Sequence, residues 1–413
     1  MRICSNNGMS GEKMKIIVQK FGGTSVSTLE KRKNVIEKIK NSIEKGYKPV
    51  VVVSAMGRIG EPYATDTLLS LISEETKKNN KQATDLLMSC GEVISTCVMC
   101  SELNSYNIKS VPLTGGQGGI ITDNNSGDAE VKELRPNRIF KYLEEGYVPV
   151  IAGFQGVSNE GIITTLGRGG SDTSAALIGK ALKAEKIEIY TDVDGIMTAD
   201  PRIVGNASLI EEISYAEVFQ FADQGAKVIH PRAVEIAMES GIPLIIKNTV
   251  TDCEGTIINS LGCSKNKKLI TGITHMKDRV QVTIKGDDNK GNDRYENILD
   301  IMAENYISID LINVFTTEVI FTIGTEDLDK FINIMEKSQI KYIMIKKCSK
   351  IAIIGNKIRG VPGVMARIIR ALKNENIQVL QTSDSHTTIW CLVRESETVK
   401  AINTLHKEFQ MYK

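Results

Sequence analysis

Residues Gly153 to Pro201 read GFQGVSNEGIITTLGRGGSDTSAALIGKALKAEKIEIYTDVDGIMTADP, and this stretch decides the fold. Ile162 to Leu166 has the make-up of a short buried strand. Gly167 to Asp172 (GRGGSD) follows as a turn with almost no side-chain bulk. From Thr173 to Lys183 the apolar residues Ala176, Leu177, Ala181 and Leu182 recur at the spacing of a helix laid on a sheet. A second strand, Ile187 to Tyr190, ends in the acidic turn Thr191-Asp192-Val193-Asp194-Gly195. Open α/β sheets bind ligands beyond the carboxyl ends of their strands, so both polar clusters are expected to face one cleft. A glycine-rich turn feeding a helix N-terminus presents free N–H groups and a partial positive charge, and so attracts anions. Arg168 adds a forked, permanent cation at that turn.

Upstream, the same grammar recurs. Lys15 to Gln19 is a short apolar strand running into Lys20-Phe21-Gly22-Gly23-Thr24-Ser25. Two glycines and two hydroxyls after a strand can wrap a phosphate, with Lys20 as a point charge, or form an ordinary βα turn. The pattern is not a Walker A loop, and no GxGxxG follows the first strand. Leu29 to Ile43 is an amphipathic helix, and Pro49 to Ser54 a buried strand ending in Ser54-Ala55-Met56-Gly57. Thr65 opens a further helix. Glu92 stands among small and apolar residues of a helix over Ala83 to Met99, where a carboxylate either pairs locally or faces a cationic ligand group. Tyr147 to Phe154 is a third buried strand. Downstream, Ile213 to Ala222 reads as a helix with Ser214 as candidate N-cap. Lys227 and Arg232 stand near His230 in GAKVIHPRA, and His230 reads as a structural histidine with no base-like pairing nearby.

From about Leu269 the text becomes strand, helix, strand, strand, helix, twice over. The ENYISI at Glu304 and the ENIQVL at Glu375 hold equivalent places, an internal repeat. The second copy runs out of chain before a last strand, while Leu269 to His275 offers a spare one. The two repeats are therefore expected to share strands in one pseudo-symmetric unit.

Composition bounds the function. At 413 residues the chain holds two or three domains. Its 51 basic and 50 acidic residues, net charge +1, argue against a nucleic-acid or membrane-surface binder. No apolar run long enough for a bilayer is apparent, and the first residues lack the apolar core of a signal peptide, so a cytoplasmic protein is expected. Residues 1–14 read as a flexible extension, with Met1 or Met14 as the start. Eight scattered cysteines read as buried reduced thiols; Cys97 and Cys100 form the sole CxxC pair, without the second pair or histidines that zinc would need.

Six motifs in order carry a resemblance: KFGGTS at Lys20, VVSAMG at Val52, GE at Gly91, TTLGRGGSDT at Thr164, YTDVDGIMTADPR at Tyr190 and GAKVIHPRA at Gly225. Together they resemble the aspartokinases, members of the amino acid kinase family, and the repeats look like their paired C-terminal ACT modules. SIDLINV at Ser308 and SDSHTTIWCLV at Ser383 are similar to the short bacterial class sensitive to diaminopimelate.

The resemblance implies an α/β fold, a three-layer αβα sandwich with a mostly parallel sheet, plus two ferredoxin-like α+β modules. It implies a catalytic domain over residues 15–262 and ACT modules over 269–346 and 347–413. The reaction implied is ATP plus L-aspartate giving ADP and 4-phospho-aspartate, with Mg²⁺ on the phosphates. The alternatives are a glutamate or N-acetylglutamate kinase, or an amino-acid sensor with a dead kinase half. Catalytic roles fall to Lys20, Arg168 and Asp172. Aspartate is assigned to Ser54, Thr65, Glu92, Arg168, Gly169, Gly170 and Ser171. The nucleotide is assigned to Lys20, Gly22, Gly23, Thr24, Ser25, Thr191, Asp192, Arg202, Lys227 and Val228. An amino-acid effector (lysine, diaminopimelate or threonine) is assigned to Asn313, Thr317, Glu318, Ser383 and Asp384. Assembly as a homodimer or higher oligomer through the ACT modules is also implied. The second repeat has Val361-Pro362-Gly363-Val364 before its helix, as ACT units usually do, whereas the first has Gly291-Asn292-Asp293-Arg294.

Overall fold

The computed structural model describes residues 2–3, 14–223, 229–262, 269–285, 293–355, 358 and 361–412. The chain forms two compact units, one of Met1–Ile196, Leu209–Ala222 and Lys227–Asn266, the other of Met197–Ser208, Asp223–Ala226 and Lys267–Lys413.

The main sheet of the first unit has eight strands: β1 (Ile16–Phe21), β2 (Lys48–Val53), β3 (Ser110–Leu113), β4 (Val148–Ala152), β5 (Lys186–Thr191), β6 (Glu212–Ser214), β7 (Leu244–Asn248) and β8 (Thr256–Asn259). Their spatial order is β6-β8-β7-β5-β1-β2-β4-β3, and every pairing is parallel except β7 with β8. Inner strands of such a sheet are buried on both faces, which is why β2 and β4 read as near-continuous apolar runs. Helices α1 (Leu29–Glu44) and α2 (Lys81–Ser105) share one core with Phe21, Val51, Val53 and Val150. Helix α3 (Gly170–Leu182) lies so close to the sheet that a Cβ on Gly179 would stand 2.5 Å from Ile187 Cδ1 and 3.9 Å from Val18 Cγ2. Side chains alternate along a strand, so β1 turns Phe21 toward α1 and α2, and Val18 and Lys20 toward α3. This alternation aims the lysine at the glycine turn.

A second, five-stranded sheet joins Ile120–Thr122, Val131–Leu134, Gln155–Ser158 and Ile163–Thr165 to Arg2–Ile3. Arg2 and Ile3 pair with Glu133 and Leu134, so this part of the expected flexible extension is a strand; the open edge of 131–134 offers it backbone partners. Ile213 and Ser214 close β6 rather than open a helix, which runs over Tyr215–Asp223. Ser214 and Glu217 exchange hydrogen bonds with each other's amides at 3.3 and 3.2 Å, a reciprocal cap at its start.

In the second unit the sheet has the order β10-β11-β9-β12-β14-β13, from β9 (Gly272–Lys285), β10 (Asp310–Val314), β11 (Glu318–Gly324), β12 (Ile343–Ile354), β13 (Gln381–Asp384) and β14 (Thr388–Arg394). The two long strands are kinked by irregular register near Met276–Arg279. Beyond the kink each half of β9 serves a different repeat: Gly272–Met276 pair with Lys350–Ile354, and Gln281–Thr283 with Ile343–Ile345. Helices α5 (Asp293–Glu304) and α6 (Leu328–Lys337) belong to the first repeat, α7 (Val364–Asn374) and α8 (Thr398–Glu408) to the second. Met197–Ser208 is built into this second core. Ala199 and Val204 pack with Ile351, Ile353 and Leu405, and Thr198 Oγ1 lies 3.0 Å from His406 Nε2.

Two readings from composition need correction. Helix α2 is long and apolar enough to cross a membrane by length and composition. It carries buried Asp85 and Glu92 and seats Met99, Cys100 and Leu103 in the first unit's core, so it is a core helix. Among the described cysteines, Cys100, Cys348 and Cys391 are buried and Cys253 half-buried, but Cys90 and Cys97 are exposed on the outward face of α2. Those two stand seven residues apart, two helical turns, so they share that face.

Candidate active site

The site is built where β1, β2 and β5 end. Lys20 Nζ stands 2.7 Å from Asp172 Oδ1 in the first turn of α3, with both side chains largely shielded from solvent. The turn ahead of α3 depends on glycine. Gly169, the residue before the helix, has φ +67°, and a Cβ there would lie 2.1 Å from the His230 ring. His230 caps α4 (Pro231–Ser240) by accepting the Arg232 amide at 3.4 Å, so it is structural. Arg232 donates to the Leu166 carbonyl at 3.2 Å and stands 3.8 Å from Asp128. It braces the glycine turn from behind. Arg168 is exposed within that turn, four positions from the lysine's partner; Gly170 and Ser171 are buried in the first helical turn.

On the opposite side of β1, the turn after β2 folds over the first glycine pair. Ser54 N donates to the Phe21 carbonyl at 3.1 Å, and Gly57 N to the Gly23 carbonyl at 3.0 Å. A Cβ on Gly23 would stand 2.5 Å from the Ala55 carbonyl oxygen, so only glycine allows this approach. Ser25 is buried, with its hydroxyl 2.6 Å from Thr249 Oγ1. Thr249 in turn donates to the Thr191 carbonyl, tying Ser25 to the end of β5.

Glu92 enters this wall from α2. Its Oε1 accepts the Ala55 amide at 3.1 Å, while Oε2 has no hydrogen-bond partner among the described residues. The residue is 3% exposed, and burial pushes its carboxyl up to about 8. A buried carboxylate with one bare oxygen fits a cation brought in by a ligand. Thr65 begins the short helix Thr65–Leu69, which α2 approaches closely at Gly91 through Leu68. On the β5 side, Thr191 donates to Asp192 Oδ1 at 3.2 Å, and Asp192 Oδ2 is 2.6 Å from Arg58 Nη2.

Lys20, Gly22, Gly23, Thr24, Ser25, Ser54, Thr65, Glu92, Asp172, Thr191 and Asp192 thus come from strand ends, the turns after them and the helices packed over those turns. From sequence, Arg202 is assigned to the nucleotide with them. It belongs to the second unit's segment Met197–Ser208, where its guanidinium forks onto Asp200. Lys227 and Val228 lie outside the described residues. Of the effector positions, Asn313 accepts a hydrogen bond from buried Gln381 at 2.6 Å, whereas Thr317, Glu318, Ser383 and Asp384 sit at the turns and ends of β11 and β13. Sequence reasoning passed over Arg58, whose isolated position after VVSAMG carried no pattern. It also passed over Asp85, a fully buried carboxylate that takes the amides of Gly127 and Thr165 and the Thr165 hydroxyl.

A glycine turn at the end of a parallel strand, a second one feeding helix α3, and paired ferredoxin-like repeats define the class of protein: amino acid kinases carrying ACT modules. The sequence profile of the amino acid kinase family matches residues 15–248, and an ACT domain profile matches 344–407. The chain is 44% identical over 405 residues to aspartokinase 1 of Bacillus subtilis (strain 168), covering 97% of this chain and all of that protein. It is 37% identical over 402 residues to the aspartokinase of Geobacillus stearothermophilus, covering 96% and 97%. Among solved structures, the aspartate kinase of Clostridium acetobutylicum aligns with a TM-score of 0.79 and 26% identity, over 96% of this chain and 100% of that one. Aspartokinase III of E. coli in complex with aspartate and ADP aligns with a TM-score of 0.75 and 25% identity, over 95% and 99%. The chain belongs to the amino acid kinase family and, within it, to the aspartokinases.

Proposed function

We propose that this chain transfers the γ-phosphoryl group of ATP to the β-carboxylate of L-aspartate, giving 4-phospho-L-aspartate and ADP. That product enters lysine, diaminopimelate, threonine and methionine biosynthesis. One observation carries the reading: a shielded lysine and a bare buried carboxylate oxygen flank the same glycine turn. The nucleophile is already ionised, so no general base is needed; in-line positioning and charge neutralisation do the work.

Lys20 bridges the transferring phosphoryl group, and Asp172 holds its ammonium in place. Gly22, Gly23, Thr24 and Ser25 cradle phosphate through backbone amides and hydroxyls. Arg168 takes a substrate carboxylate bidentately over Gly169, Gly170 and Ser171. Glu92 receives the substrate ammonium; Ser54 and Thr65 line that pocket. Thr191, Asp192, Lys227 and Val228 take the nucleotide. Among the described residues no cluster of three or more His, Cys, Asp or Glu side chains would hold a metal. Asp172 and Asp192 are the nearby carboxylates that would face a Mg²⁺ ion, which would neutralise phosphate charge.

The second unit is proposed as the seat of feedback inhibition by lysine, diaminopimelate or threonine. E. coli aspartokinase III has been solved in complex with lysine and aspartate in its T-state, a structure matched here with a TM-score of 0.75. The parse into 15–262, 269–346 and 347–413, assembly through the ACT modules and a cytoplasmic location belong to the same reading. A coupled ADP-release assay with aspartate, glutamate and N-acetylglutamate side by side tests it. Turnover with aspartate alone is expected; ADP release independent of aspartate overturns the reading. Repeating the assay with each effector, with mass measured by light scattering, tests regulation and assembly.

A further inference from the structure

Arg58 has no part in the scheme so far, yet it stands in the middle of the site. It follows the turn Ser54–Gly57, and its Nη2 lies 2.6 Å from Asp192 Oδ2 at the end of β5. In the sheet, β1 lies between β2 and β5. Neighbouring strands are about 4.8 Å apart, so a bridge from the β2 turn to the β5 turn spans two strand spacings. It must pass over the carboxyl end of β1, the Phe21–Gly23 turn that Lys20 opens. The guanidinium is therefore stationed between the wall holding Glu92 and Ser54 and the wall holding Thr191 and Asp192.

The ion pair does not hold the turn in place. Both side chains are exposed, Arg58 at 69% and Asp192 at 55%, and pairs of that kind contribute little stability. Backbone amides hold the turn instead: Ser54 N donates to Phe21 O, Gly57 N to Gly23 O, and the Arg58 amide to the Glu61 side chain at Oε2. The guanidinium is thus free to exchange a weakly held carboxylate for a more highly charged partner.

We propose that Arg58 is a further catalytic residue, which leaves Asp192 as the substrates bind and grips the oxygens of the phosphoryl group in transit. The proposal rests on the aspartate kinase reading. In the step, a β-carboxylate oxygen forms the new bond to the γ-phosphorus as the bond to the β,γ-bridging oxygen breaks. The electron pair leaves on ADP, and no proton moves. Arg58 forms no covalent bond; its forked N–H groups neutralise equatorial oxygens while Lys20 does so from the α3 side.

The test compares wild type, Arg58→Ala, Arg58→Lys, Asp192→Asn and the Arg58→Ala/Asp192→Asn double variant. Aspartate-dependent ADP release is measured for each, with ADP affinity by titration calorimetry. Arg58→Ala is expected to lower kcat by on the order of 10², the scale for one preorganised donor, with ADP affinity changed less than about threefold. Lysine restores only part, because it lacks the fork. The same factor is expected in the Asp192→Asn background. A kcat within twofold of wild type overturns the proposal. So does a loss that vanishes in the Asp192→Asn background, which marks a mere loop staple. So does an ADP affinity falling in proportion to kcat, which marks ground-state nucleotide binding. Wild type without aspartate-dependent turnover overturns the parent reading and this one together, before any substitution is made.

Discussion

Lys20 Nζ and Asp172 Oδ1 stand 2.7 Å apart, joining the end of a central strand to the first turn of the helix that follows the second glycine turn. The two residues are 152 positions apart in the chain: Lys20 ends a strand of the eight-stranded sheet, whereas Asp172 lies in the helix that follows Ile163–Thr165, a strand of the five-stranded sheet. Removing the cation should leave substrate binding largely intact and slow the chemistry. Lys20→Ala is expected to lower kcat by on the order of 10²–10³, read from steady-state ADP release at saturating aspartate and ATP. Unchanged kcat would remove Lys20 from the transferring group.

Glu92 should give the free enzyme a pH signature. Burial raises its carboxyl to about 8 in the folded chain, against an ordinary value of 4.5. The folded state then holds a proton that the unfolded state has lost, so stability falls as pH rises from about 4.5 to about 8. Aspartate binding needs the ionised form, so KM for aspartate is expected to fall as pH rises toward 8. Glu92→Gln should flatten both dependences and raise KM. Urea unfolding and KM measured across pH 5–9 check the pair of effects; equal slopes in wild type and variant would refute the assignment.

Gly169 tests the strain built into the turn. Its φ of +67° and the His230 ring 2.1 Å from a notional Cβ leave no room for a side chain. Gly169→Ala is expected to cost about 1–3 kcal/mol, seen as a lowered Tm, and to lower kcat/KM for aspartate by displacing Arg168 and Asp172.

Asp85 holds the strand that leads into the same turn. It accepts the amides of Gly127 and Thr165 at 2.9 Å and the Thr165 hydroxyl at 2.8 Å, wholly buried. Asp85→Ala strands those donors and should destabilise the enzyme by at least about 2 kcal/mol in denaturant titration. A loss below about 0.5 kcal/mol would mean that water replaces the carboxylate.

Much of this architecture was legible before any coordinates. Strands such as PVVVV and VPVIA announce two-sided burial, and the glycine turns after them announce strand ends that open on a cleft. Glu92 stood out because a carboxylate in an apolar helix demands a partner. Other features left no local trace. The run over Leu269–His275 and the strand after it merge into the single 14-residue β9, because a kinked strand can serve two repeats at once. Arg202 follows an acidic turn in sequence but belongs to the second unit, since Ala199 and Val204 beside it are drawn into that unit's core. Cys90 and Cys97 looked like core residues by type, and helix phase turned them outward.

The order of residues by itself determined which segments become strands, where they stop, and that their ends would favour anions, because these follow from side-chain period, glycine freedom and helix polarity acting over a few residues. Tertiary structure alone decided which strand ends became neighbours. That adjacency brought Arg58 to Asp192, and the packing of helices α3 and α2 brought Asp172 to Lys20 and Glu92 to Ala55. Sheet order is settled by how whole faces bury one another, and no short stretch of the chain encodes it.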